Sequence, residues 1–312
     1  LFFFVVLRVL RGYGLSLSHW FLPFTLLSCI LLPNSPKEPH PSMEMSHAIF
    51  LGALQGFTEI LPISSSAHLI LVPRILGWPP SGLTFDVAVH AGTLLALLAY
   101  FRRDLLDMVA STIQGVTDGF RTTSSRLLPI IIAATLPAAL AGRLAEAQIE
   151  NWFRSSPALV ATVMMVFGLL LGLADLLGHR TLRLDRLGLG RGMVIGCAQA
   201  LALIPGVSRS GITITAGLFL GFSREASARF SFLLSLPVVA GAALLKGGEL
   251  LQAGIPEGVG LSFLAGIVAS SLCGYISVAL LMQLLQKRGL GIFVWYRLLA
   301  GGAFLIWFNL TP

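Results

Sequence analysis

IFLGALQGFTEILPISSSAHLILVPRILG, residues Ile49 to Gly77, sets the architecture of this chain, because an altered copy returns at Val194 to Gly221 as VIGCAQALALIPGVSRSGITITAGLFLG. A shift of 144 positions, without a gap, lays Gly52 on Gly196, Gln55 on Gln199, Ile60 on Ile204, Ser64 on Ser208, Ser66 on Ser210 and Gly77 on Gly221. Each copy is an apolar run with an interruption, at Pro62 in the first and at Pro205 with Gly206 in the second. Proline removes a helical donor and crowds the preceding turn, so each copy reads as two short helices joined at a break. In hydrocarbon such a break persists only where it is buried in protein or lines a wet cavity. The copies are therefore expected to be re-entrant, site-forming hairpins.

Composition agrees with a membrane setting. With 55% apolar and 11% charged residues and a mean hydropathy of +0.86, the chain is a polytopic all-α membrane protein and not a soluble globule. Its 33 glycines suit close helix packing in lipid and argue against a β-barrel, which would show short alternating strands. The formal charge of +7 comes from arginines at the ends of apolar runs, with no basic face carrying interleaved aromatics. No nucleic-acid partner is implied. Cys29, Cys197 and Cys273 lack metal-ligand spacing and read as small packing residues.

Residues 1–42 form an atypical extension that opens on Leu1 and passes Arg8 and Arg11 into an apolar stretch at Trp20 to Leu32, followed by the linker NSPKEPHPS. The stretch is like a signal-peptide core, and the expectation is that translation starts at Met43 or Met45; the alternative is a genuine extra N-terminal anchor. Residues 43–312 are expected to be one integral membrane domain, with repeat one at about 48–178 and repeat two at about 192–310.

Beyond the hairpins, apolar runs at Leu83 to Phe101, Leu127 to Gly142, Pro157 to Gly178, Phe230 to Ala243, Val259 to Gln286 and Gly291 to Leu310 predict six transmembrane helices. Arg102, Arg103, Arg121 and Arg126, then Arg180, Arg183, Arg186 and Arg191, then Arg224 and Arg229, then Lys287 and Arg288 fall on one side if each hairpin returns to the face it entered. The other side keeps Arg143, Arg154 and Lys246, with Glu146, Glu150, Glu249 and Glu257. Twelve cations against three place the first hairpin's mouth outside and the second's inside. One hairpin and three spans make an odd number of crossings, so the halves form an inverted-topology repeat with two broken helices meeting near the midplane. Asp104 and Asp107 beside Arg102 and Arg103 predict an interfacial helix.

Ionisable groups are divided between the copies. Glu59 aligns with Leu203, Ser65 with Arg209, and His68 with Ile212. Gln55 and Glu59, four apart, share a helical face just before the first break. A carboxylate there costs about 2.5–3.5 kcal/mol to insert, and three roles are open to it: a metal ligand with Gln55, a general base, or a structural partner for Arg209. Ser64, Ser65 and Ser66 can cap the next half-helix, whose free N–H groups favour an anion, and His68 follows them. In the second copy PGVSRSGIT supplies Ser208, Ser210 and Thr213, and Arg209 is a fork suited to two phosphate oxygens. Asp86 and His90, at i and i+4, either extend this polar site or serve packing or a proton path. Asp175 reads as interfacial, and Arg297 as snorkelling or pairing locally.

At these residues the chain resembles the undecaprenyl-diphosphate phosphatase family, also called bacitracin-resistance proteins. The likeness rests on QGFTEILPISSSAH and PGVSRSGIT and extends through FDVAVHAGTLLALLAYFRRD, FRSSPALVATVMMVFGLLLGLAD and GFSREASARFSFLLSLPVVAGA, over about residues 47 to 311. It implies loss of the terminal phosphate from a polyprenyl diphosphate lipid, a divalent cation (Mg2+ or Ca2+), and a site open to the outer face of the bacterial cytoplasmic membrane. It makes Glu59, Ser65, His68 and Arg209 the catalytic core, with Gln55, Ser64, Ser66, Ser208, Ser210 and Thr213 around the substrate and Glu59 with Gln55 as metal ligands. Gln55 stands where many members carry a first Glu, a departure that weakens a two-carboxylate metal site. Spacing does not choose between Ser65 and His68 as nucleophile; the reading adopted is Ser65, activated by His68 or Glu59. A polyprenyl-phosphate flippase or secondary transporter is the alternative, and a homo-oligomer is left open.

Overall fold

A proline in an apolar run ends one helix and, two or three residues on, lets another begin. The computed structural model describes residues 44–253 and 260–310. Glu257 and the N-terminal extension, with its expected signal-like core, lie outside the described residues, as do the side chains of Glu146, Glu150, Arg154, Lys246 and Glu249. Helices α1 (Met45–Ile60) and α2 (Ser65–Ile75) make the first hairpin, followed by α3 (Leu83–Tyr100), α4 (Arg102–Asp118), α5 (Thr123–Arg154) and α6 (Pro157–Leu177). Helices α7 (Leu189–Ala200) and α8 (Arg209–Phe219) make the second, followed by α9 (Arg224–Ala253), α10 (Gly260–Lys287) and α11 (Gly291–Leu310). A lone bridge between Leu182 and Phe222 is the β structure among the described residues.

The expected layout is present. Helices α5, α6, α9, α10 and α11 are long and apolar enough to cross a membrane, and α3 with α4 supplies a sixth candidate, bent by 71°. The 18 residues of α3 rise about 27 Å, close to a bilayer core. Past the bend, α4 exposes Leu106, Val109, Ile113 and Val116 along one side, as a helix lying in the membrane surface does.

The hairpins match in three dimensions, not only in letters. Ser64 and Ser208, equivalent under the repeat, both hold positive φ, 75° and 72°, and each hydroxyl caps the helix that follows, accepting from Ala67 N and Gly211 N. Packing repeats as well: α1 lies on α10 as α7 lies on α5, while α3 meets its own counterpart α9 and α6 meets α11. At Gly52 an added Cβ would overlap the carbonyl of Gly266, and at Gly196 that of Ala134. Only glycine permits backbones so close.

All four cation-rich connections gather at one end of the bundle. Arg229 of α9 pairs with Asp104 of α4, Thr123 bonds the carbonyl of Asp185 at 2.8 Å, and Leu182 N bonds Gly221 O at 2.9 Å. Asp175 belongs to this set. Expected to be interfacial, it stands at this end of the bundle, where it is buried, held by Arg224 at 2.5 and 3.1 Å, and accepts Leu290 N at 3.1 Å. Its carboxylate thus ties the end of α6 to the starts of α9 and α11. Cys197, expected to pack, is exposed on α7.

Gly196→Val is expected to lower the thermal unfolding midpoint in detergent, at or above the top of the about 1–3 kcal/mol range for overpacked positions. Gly302→Val, where an added Cβ meets nothing within 4 Å, is the control and should leave the midpoint near that of the unaltered protein.

Candidate active site

The two breaks face one another. Ser66 of the first hairpin accepts a hydrogen bond from Gly206 N of the second at 3.4 Å, and Ser210, its repeat equivalent, donates to Leu61 O at 3.3 Å. Arg297 of α11 holds both breaks from behind. Its Nη1 donates to Pro62 O at 3.2 Å, and its Nη2 to Gly206 O at 2.8 Å and Val207 O at 3.1 Å; Pro62 and Gly206 are equivalent under the repeat. Arg297 Nε donates to Met164 O at 2.8 Å. Backbone groups freed by the breaks are thereby satisfied without water.

Each half-helix begins at this seam, so its first residue looks across it. On α2 that residue is Ser65 and on α8 it is Arg209. Glu59, one turn before the first break, lies between them. Its Oε1 accepts from Arg209 Nη2 at 2.7 Å, and its Oε2 from Ser65 Oγ at 2.5 Å and from Gln55 Nε2 at 3.2 Å. His90 Nε2 of α3 stands 3.4 Å from the same oxygen. These groups border a cavity of about 270 Å³. It is of a size to take a small anionic head group. One wall is apolar, with Leu69, Ile70, Val238, Val239 and Ala242.

Residues 48–303 match the family described as bacitracin resistance protein BacA. This chain belongs to that family. It is 60% identical over 263 residues to a protein of Geobacter sulfurreducens named undecaprenyl-diphosphatase, covering 84% of this chain and 98% of the relative. Proteins of the same name from Pelobacter propionicus and Moorella thermoacetica are 60% and 47% identical, over 84% and 82% of this chain and 96% and 95% of theirs.

In this BacA-family chain Glu59, Ser65, Ser66, Ser208 and Arg209 line the cavity, and Gln55 stands behind Glu59. Ser64, Ser210, Thr213 and His68 do not line it. Ser64 caps α2, Ser210 joins the breaks, and Thr213 meets Ser231 Oγ at 2.6 Å, the residue whose carbonyl accepts Arg209 Nη1 at 3.4 Å. His68 is not brought to Ser65. Its Nδ1 donates to Ser64 O at 2.7 Å, leaving Nε2 to accept from Tyr296 Oη at 2.7 Å. Both ring nitrogens are spent, so of the two bases considered for Ser65 it is Glu59 that makes the contact.

His90, one of two readings for α3, does border the cavity with Asp86. Its Nδ1 donates to Asp86 O at 2.6 Å, so an imidazolium satisfies both that contact and Glu59, whereas a neutral ring satisfies only the first. Arg297, expected to snorkel or to pair locally, does neither: it has no exposed surface and its partners are distant in the chain, because the carbonyls of both breaks need a donor that a long fork reaches.

The donor set bears on the divalent cation. Among the described residues no three His, Cys, Asp or Glu side chains converge as a metal cluster. Gln55 Oε1, however, is buried without a hydrogen-bond partner, four residues from the carboxylate of Glu59. Two oxygens fit an ion that takes its remaining ligands from phosphate and water, the usual habit of Mg2+.

Replacing Arg297 with Met strands the carbonyls of Pro62, Gly206 and Val207, at about 1–3 kcal/mol for each buried group left unpaired. Thermal unfolding in detergent should show a large drop in midpoint, with loss of activity alongside it.

Proposed function

We propose that this chain hydrolyses undecaprenyl diphosphate to undecaprenyl phosphate and inorganic phosphate, recycling the cell-wall lipid carrier and so conferring bacitracin resistance. The observation that carries this reading is the hydrogen bond from Ser65 Oγ to Glu59, facing Arg209 across a seam between two half-helix N-termini. A hydroxyl held on a carboxylate is an activated nucleophile, and transport requires none. The names of the relatives agree.

Arg209 and Glu59 neutralise one another while no phosphate is bound. An entering diphosphate competes for Arg209, whose fork takes two phosphate oxygens and frees one edge of the carboxylate. Ser65 Oγ then attacks the terminal phosphorus in line as its proton passes to Glu59, and the bond to the bridging oxygen breaks, releasing the lipid monophosphate. Arg209 and the free N–H groups of α2 and α8 stabilise the equatorial oxygens. Glu59 gives the proton taken from Ser65 to the departing lipid monophosphate; water then attacks the phosphoserine with Glu59 as base, and the proton passes on to Ser65 Oγ as its bond to phosphorus breaks and inorganic phosphate leaves. A divalent cation held by Glu59 and Gln55 Oε1 would shield phosphate charge. The isoprenoid stays in lipid beside the apolar wall. We place the protein in the bacterial cytoplasmic membrane with the cavity open to its outer side, a reading supported by the gathering of cation-rich connections at one end.

Purified protein should release phosphate from undecaprenyl or farnesyl diphosphate. Ser65→Ala should lose at least about 10³-fold in kcat, on the scale of a missing nucleophile, and Arg209→Ala about 10²–10³-fold, on the scale of a lost transition-state donor. Lipid translocation without phosphate release would mark a flippase instead. A chelator should abolish turnover and added Mg2+ or Ca2+ restore it; undiminished turnover in chelator would remove the cation from the scheme. Trapped phosphoenzyme should carry an acid-stable label on Ser65, and an acid-labile label on His68 would refute the serine route.

A further inference from the structure

Gln199 lines the cavity beside Ser208 and Arg209, is 2% exposed, and has no hydrogen-bond partner for either its amide nitrogen or its amide oxygen. Burying both ends of an amide without a protein partner is costly. The repeat explains how the position arose. Gln199 is the counterpart of Gln55, whose Nε2 donates to Glu59 Oε2 at 3.2 Å. Four residues after Gln199 the equivalent of that carboxylate is Leu203, which accepts nothing. One amide of the symmetric pair therefore steadies the carboxylate, and the other is left with its hydrogen-bonding groups unused at the cavity wall.

What would use them must both accept and donate, and must suit a cavity whose cation is Arg209 and whose walls include two half-helix N-termini. A phosphate group meets each requirement: its oxygens accept from Nε2, and a phosphate hydroxyl or a water carried with it donates to Oε1. We propose that Gln199 is a substrate-binding residue that hydrogen-bonds the diphosphate head group from the second-repeat side, opposite Ser65. This rests on the hydrolase reading above. It adds a contact to the phosphate beyond the arginine and the serines, supplied by a glutamine one turn before the position where the two repeats have diverged from carboxylate to leucine.

The test uses the full chain in detergent with two variants, Gln199→Leu and Gln199→Met, and reads steady-state kinetics on farnesyl diphosphate together with the unfolding midpoint with and without inorganic phosphate. The expected result is a midpoint equal to or above that of the unaltered protein, since an unpaired buried amide has been replaced by an apolar group. KM should rise about tenfold, the worth of one hydrogen bond to a charged group, with kcat within about threefold, the pattern of a lost binding contact. The phosphate-induced rise in midpoint should shrink in both variants. An unchanged KM, or a fall in kcat at constant KM, overturns the proposal, and unfolding of both variants overturns it by showing that the amide is structural. The phosphate shift needs no turnover. If the unaltered protein binds phosphate but releases none from the lipid, the hydrolase reading fails while the Gln199 contact is still decided.

Discussion

Two broken helices inside a bilayer have loose backbone groups that water cannot reach, and in this protein each break is satisfied by the other break and by one arginine. Ser66 reaches Gly206, Ser210 reaches Leu61, and the guanidinium of Arg297 joins Pro62 O to Gly206 O, the same carbonyl in each repeat. Neither hairpin can be satisfied alone, since its partners lie on the opposite hairpin or on α11. The cost of unpaired backbone in hydrocarbon, several kcal/mol per group, thus drives the hairpins into contact. That contact is where both half-helix N-termini converge.

Symmetry makes the seam and departures from symmetry make it reactive. Ser65 and Arg209 occupy the same position in their repeats, the first residue of a half-helix, so the fold sets a hydroxyl and a cation across from one another. Glu59 has Leu203 as its equivalent, and a second carboxylate there would have set two like charges on one cavity. With one acid and one arginine the pair is neutral, hydrogen-bonded at 2.7 Å, and buried at moderate cost because each charge has its partner. An anion displaces that partner instead of entering an empty charged pocket, so the ion pair that steadies the unliganded seam is also the one that substrate opens.

Much of this was legible in the chain. The ungapped repeat, a proline or proline–glycine at each interruption, and apolar runs of membrane length yielded the helices, the hairpins and the end at which cation-rich connections gather. Glu59, Ser65 and Arg209 stood out because ionisable or nucleophilic groups in an apolar run are expensive. The orientation of His68 was not legible. It sits one turn from Ser65 on the same short helix, and local spacing favoured a shared task. What turns it away is Tyr296, 228 positions along the chain, which takes the ring's second nitrogen. Arg297 was misread for the same reason, its partners being distant in sequence.

The amino-acid order alone therefore establishes which segments are helices, where they break, that the halves are copies, and which residues are costly enough to need a purpose. Those properties depend on neighbours within a few turns, where proline stereochemistry and hydropathy act. Which costly groups face the cavity and which are consumed in holding it was settled by packing between α1, α2, α8 and α11. A hydrogen bond is spent on whichever partner lies within about 3 Å, and that partner is chosen by the meeting of helices far apart in the chain.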